Sequence, residues 1–99
     1  MLKHIVMWKF KDAEGNTKEQ NVNIVKEGLE ALPPKVPYIK KLTFIKNQVE
    51  CNRNFDALLI VETENEEELN KYKNHPEHKK VAEFVHKVTE NRGAVDIWE

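Results

Sequence analysis

The stretch Phe55-Asp56-Ala57-Leu58-Leu59-Ile60-Val61-Glu62-Thr63 decides how this chain folds. A short apolar run between polar flanks has the length of a strand and not of a helix. Successive side chains of a strand point to opposite faces of its sheet. Here the centre is apolar on both parities, with Ala57, Leu59 and Val61 on one and Leu58 and Ile60 on the other. A sheet built around this segment needs cover on both faces.

Moving outward, Asn47 to Asn54 is polar and reads as a turn or loose connection. Before it, Tyr38 to Lys46 reads as a strand reached through Pro37. After the central strand, Asn65 with Glu68 three residues on opens a helix, and the acidic first turn (Glu66, Glu67, Glu68) suits its positive end. Pro76 interrupts that helix, and a fresh helical pattern runs from Pro76 to Val88, since proline is tolerated in a first turn. Gly93 closes the segment, and Ala94 to Trp98 reads as a short last strand. At the other end, Lys3 to Lys11 is a strand with His4, Val6, Trp8 and Phe10 on one parity and Ile5 and Met7 on the other. Asn16 with Glu19 is a helix start, and Val22, Val25, Leu29 and Leu32 form one stripe of that helix. Pro33 and Pro34 stop it. The order β-α-β-β-α-β predicts an α+β, ferredoxin-like domain over residues 1–99, with an antiparallel sheet and its helices on one face.

Helices cover one face only. Ile5 and Met7, and one parity of Leu58 to Val61, are left needing a lid. A contiguous bare patch of this kind is unusual for a monomer. An identical second sheet is the simplest cover, so the expected partner is the chain itself, paired into a dimeric α/β barrel.

Composition narrows the classes further. With 16 Lys+Arg against 17 Asp+Glu and a formal charge of −1, there is no basic footprint for nucleic acid and no one-signed block for a membrane surface. No stretch approaches the ~20 apolar residues of a membrane span. The opening apolar run is too short for a signal peptide, and the single cysteine, Cys51, cannot form an internal disulfide; a reducing, cytoplasmic setting is expected. The chain contains no serine, which excludes serine-nucleophile hydrolysis, and it has no G-x-G-x-x-G. No cofactor is expected.

Chemistry has few places to reside. His78 lies at helical offsets of three, four and seven from Val81, Ala82 and Val85, at the edge of the buried stripe. Tyr72 is on the inner side of the preceding helix, and the break at Pro76 brings the two together. A neutral imidazole can take a proton and return it, and a tyrosine hydroxyl can steady a developing oxyanion. If Ile5 and Met7 face the partner, His4 faces the helices and can join them. The expected pocket between sheet and helices is walled by Val6, Trp8, Val25, Leu29, Val81, Ala82 and Val85. Trp8 and Phe84 are also large enough to fill it. His75 and His78 form an H-x-x-H that invites a metal, but a site needs three or four convergent ligands and Pro76 prevents a regular helical turn there. No metal is expected. His86 lies off the apolar stripe and is expected in solvent.

Three segments together resemble the stress-responsive A/B barrel (Dabb) family. They are the opening Lys3-His4-Ile5-Val6-Met7-Trp8-Lys9-Phe10-Lys11, the Asn54-Phe55-Asp56 lead into the central strand, and Tyr72-Lys73-Asn74-His75-Pro76-Glu77-His78. The likeness spans essentially the whole chain. It implies a ferredoxin-like subunit that pairs sheet to sheet. Members include plant stress-induced proteins with no assigned reaction and a cofactor-free plant polyketide cyclase. In that cyclase a tyrosine and a histidine of the Y-x-x-H-P-x-H segment act on substrate; they match Tyr72 and His78, and its N-terminal histidine matches His4. The cyclase lines a tunnel with aromatics on its first helix, where this chain has Val22, Val25 and Leu29, which argues for a smaller ligand or none. Two functions follow. One is a cofactor-free acid–base enzyme of cyclase, lyase or isomerase type acting on a small molecule. The other is a non-enzymic, stress-related dimer for ligand binding or scaffolding.

Overall fold

The computed structural model describes residues 1–99. In chain order the elements are β1 (Leu2–Phe10), α1 (Lys18–Glu30), β2 (Lys41–Lys46), β3 (Ala57–Thr63), α2 (Glu66–Asn74), α3 (Pro76–Val88) and β4 (Thr89–Trp98). The strands form one sheet in the order β2-β3-β1-β4, and every neighbouring pair is antiparallel. This is the ferredoxin-like α+β arrangement expected from the sequence.

Strand parity behaves as read. On β1, Leu2, His4, Val6, Trp8 and Phe10 are buried under the helices, and so are Ala57, Leu59, Val61 and Thr63 of β3. Val22, Val25 and Leu29 of α1, Leu69 and Tyr72 of α2, and Val85 and Val88 of α3 close the same core. Full burial of an aliphatic side chain contributes roughly 1.5–3 kcal/mol, so this layer carries most of the fold's stability. The opposite parity, with Ile5, Met7, Leu58 and Ile60, is only half-buried, and Ile45 and Val95 beside it are 41% and 53% exposed.

Four boundaries differ from the sequence reading. Helix α1 starts at Lys18 with Thr17 as its cap: Thr17 and Gln20 exchange side-chain-to-backbone hydrogen bonds in a capping box. Asn16 is instead bridged to Ala13 and bonded to Asn21. Strand β2 begins at Lys41, because residues before it spend backbone bonds on turns, Val36 N–H to the Leu32 carbonyl and Ile39 N–H to that of Val36. Strand β3 starts at Ala57; Asp56 is drawn to β1, its amide donating to the Trp8 carbonyl and its carboxylate accepting from the Phe10 amide. Strand β4 is the largest difference. It runs from Thr89 straight out of α3 with no loop, pairing along the whole of β1. Its register slips between Lys9 and Phe10, leaving Glu90 as an unpaired bulge residue.

Candidate active site

The site is built at the junction of α2 and α3. The residue before a proline is pushed out of helical geometry, and His75 obeys, with φ −68° and ψ 135°. It ends α2 and caps α3 together: its amide donates to the Tyr72 carbonyl, and its Nδ1 accepts from the Glu77 amide. The bend folds the first turn of α3 back over the last turn of α2. His78 Nδ1 then lies 2.9 Å from the Lys73 carbonyl oxygen, and the Tyr72 and His78 rings are 4.4 Å apart at a 50° tilt. A carbonyl can only accept, so Nδ1 carries the proton and Nε2 keeps its lone pair. Burial, above all, holds the His78 pKa below its ordinary value, which favours the neutral ring with its lone pair free. Burial pushes the Tyr72 hydroxyl far up, so it stays protonated as a donor. That hydroxyl takes no hydrogen bond from the protein, yet it is not sealed in and opens on the cavity.

His4 faces the helices from β1, as its parity requires. Its Nδ1 meets Asp96 Oδ1 at 2.5 Å, across the strand pair in which the two residues are register partners. The carboxylate orients the ring with Nδ1 as donor and leaves Nε2 unengaged. Burial still outweighs the pull of Asp96, and the His4 pKa is lowered. Asp96 was not anticipated. Nothing local marks it, and only the long register of β4 against β1 sets it beside His4.

Between these groups lies an open cavity of about 580 Å³ that reaches His4, Tyr72 and His78. Small-molecule sites typically enclose about 300–1,000 Å³. Val6, Trp8, Leu29, Ala82 and Val85 wall it. Val25 and Val81 do not: Val25 is 1% exposed within the solid core, and Val81 packs against Gly28 of α1. Trp8 is a wall and not a plug, because its indole stacks on Phe44 at 6.4 Å and meets Phe10 edge-on at 6.2 Å. Phe84 is half-buried and outside the lining. The sequence reading missed Lys73, Leu59 and the β4 rim of Thr89 to Arg92; His86 is exposed, as expected, but sits on that rim. As for a metal, His75 Nδ1 is occupied as a cap, and no group of three or more His, Cys, Asp or Glu side chains converges anywhere in the chain. No helix is long and apolar enough to cross a membrane.

Residues 2–99 match the model of the Stress responsive A/B Barrel Domain. No curated protein matches the chain. Among solved structures, a dimeric ferredoxin-like protein of unknown function from Bacteroides fragilis is 29% identical, with a TM-score of 0.82 over 97% of this chain and 93% of its own. A dimeric ferredoxin-like protein from Thermobifida fusca superposes at 0.83, with 22% identity over 97% and 88%. A hydroxynitrile lyase from Passiflora edulis superposes at 0.76, with 11% identity over 97% and 90%.

Proposed function

Because the chain belongs to the stress responsive A/B barrel domain family, we propose that it is a homodimer whose subunits each perform cofactor-free acid–base chemistry on a small organic molecule. Residues 1–99 then form one domain, and unpaired Cys51 suits the reducing conditions of the cytoplasm. One observation carries the catalytic part. A neutral His78 with its Nε2 lone pair unengaged and an unpartnered Tyr72 hydroxyl share one open cavity. In the step they suit, His78 Nε2 takes a proton from a carbon beside a carbonyl. The C–H electron pair moves into an enolate, and the Tyr72 O–H donates to the oxyanion. His78 then returns the proton, or the enolate expels a leaving group, so isomerase and lyase outcomes diverge only after this step. His4, held by Asp96, offers a second polar edge. The Passiflora protein, named a hydroxynitrile lyase, supports the view that this fold can carry lyase chemistry; fold alone does not assign it here.

The dimer rests on the bare face. Ile5, Met7, Leu58 and Ile60 form a continuous apolar surface that no element of the chain covers, and the Bacteroides fragilis and Thermobifida fusca proteins are dimeric. A shallow hollow lined by Met7, Ile45, Phe55 and Leu58 lies on that face and gives a partner's side chains somewhere to seat.

The test is hydrogen–deuterium exchange at the α-carbon of phenylacetone and related small ketones in D2O, followed by NMR. Exchange above buffer is expected, falling about 10²–10⁴-fold in His78→Ala and about 10²-fold in Tyr72→Phe. Because burial depresses the His78 pKa, the rate should hold to somewhat below pH 6.5 and fall only as the ring protonates. Exchange indifferent to His78, or none at all, returns the protein to the non-enzymic reading.

A further inference from the structure

We propose that the molecule taken into the cavity is an organic carboxylate, its anionic end held between Lys73 and Arg92 at the mouth. The assignment of the other end, against His78 and Tyr72, rests on the catalytic reading above. Lys73 and Arg92 both line the cavity, and neither forms an ion pair within the chain. The lining holds one carboxylate, Glu90, and the nearby Asp96 is already engaged by His4.

The two cations come from different elements, so their sharing one lining is not an accident of one helix face. Arg92 is the register partner of Trp8, which puts its side chain on the helix side of the sheet, yet no helix covers it and it is exposed. Lys73 is half-buried in the last turn of α2, and its own carbonyl fixes His78. All three of His4, Lys73 and Arg92 line this cavity, and both cations lower the pKa of His4 through space. Half-buried Lys73, beside an apolar wall, loses solvation and gains from an opposite charge. Arginine's planar fork matches a carboxylate's two oxygens, and lysine adds a point charge.

The arrangement has a consequence for the base. Lys73 also lowers the pKa of His78. A bound carboxylate offsets that field, so the ligand makes its own base stronger. The competing explanation for Lys73 is a favourable charge at the C-terminal end of α2, which leaves Arg92 unexplained and predicts no ligand preference.

Calorimetric binding of phenylacetate and of its neutral isostere phenylacetamide to the intact protein separates these readings. Phenylacetate is expected to bind at least about tenfold more tightly, the value of one charge-assisted hydrogen bond. The Lys73→Met/Arg92→Gln double variant should reduce that preference to about twofold or less, while Arg92→Lys retains part of it. If the double variant does not fold, the single changes Lys73→Met and Arg92→Gln should each lose part of the preference. On saturation with phenylacetate, and not with the amide, the His78 pKa followed by NMR should rise. Equal binding of acid and amide, no binding of either, or a preference that survives the double change overturns the proposal. Phenyl phosphate binding more tightly than phenylacetate overturns the carboxylate assignment in favour of a phosphoryl group. Since binding and not turnover is read, an anion preference without α-carbon exchange sinks the catalytic reading alone, and exchange without the preference sinks this one alone.

Discussion

Leu59 and Ile60 are neighbours on β3 with similar side chains, yet they live on opposite faces of one sheet. Leu59 is 2% exposed beneath the helices, while Ile60 is half-buried on a face that no helix covers. The two faces also differ in what accompanies the hydrocarbon. Along β1 and β3 the bare side is apolar at its centre, with charge only toward the strand ends at Lys3, Lys9 and Glu62. The helix side is solid around Val25, Leu32 and Val61 but hollow near β4, where His4, Tyr72 and His78 converge. Continuous grease without polar convergence suits a self-complementary interface; a void whose apolar wall carries a few aimed polar groups suits a ligand.

Charge substitutions break the comparison most forcefully. Val61 is fully buried, so Val61→Asp places an unpaired carboxylate in the core. A penalty of several kcal/mol, against a typical total stability of about 5–15 kcal/mol, should abolish the cooperative thermal transition seen by circular dichroism. Ile60→Asp, one residue away, should keep the helical signal and convert the dimer to monomers under light scattering at micromolar concentration. Should Ile60→Asp unfold the chain as Val61→Asp does, the two faces are not distinct in kind.

A smaller effect sharpens the line between solid and hollow. Leu29 and Leu32 are each 2% exposed, but only Leu29 lines the cavity. Leucine-to-alanine changes in cores cost about 2–5 kcal/mol, the spread reflecting the void left behind. Leu32→Ala should fall in the upper part of that range by urea denaturation. Leu29→Ala should fall near its lower end, because one side of Leu29 already lacks packing partners. Equal losses would mean the cavity does not persist in solution.

How much of this was legible in the sequence follows from what each feature depends on. Strand parity, the Pro76 break and the approach of Tyr72 to His78 are local, set by steric rules over a few residues. The start of α1 was missed because Asn16–Glu19 and Thr17–Gln20 both carry capping spacing; what decides is that Asn16 is committed to Ala13 and Asn21. The length of β4 was missed because Glu90-Asn91-Arg92-Gly93 has no apolar pattern, and its pairing comes from the β1 backbone acting as template. Asp96 and Arg92 enter the site through that same register, over a separation of some ninety residues along the chain. Lys73 was within the recognised segment but carries no local signal, since a lysine in a last helical turn has an ordinary explanation.

The smallest effect concerns acid, and it arises only in the hollow. His4 and His78 both have pKa values lowered in the folded state, burial being the main cause in each. In the unfolded chain both return toward 6.5. As pH falls below that value the unfolded state binds protons that the folded state refuses, so stability present above about pH 6.5 drains away. Glu99, whose pKa Lys3 holds low, responds only in a more acid range. Urea midpoints at about pH 7.5 and about pH 5 should therefore differ, the protein being weaker in acid. The His4→Gln/His78→Gln double variant should show a flatter dependence over that interval, whatever its absolute stability. An unchanged slope would mean that water already solvates both rings, and the cavity would then be an open groove where an uncharged ligand gains little from desolvation.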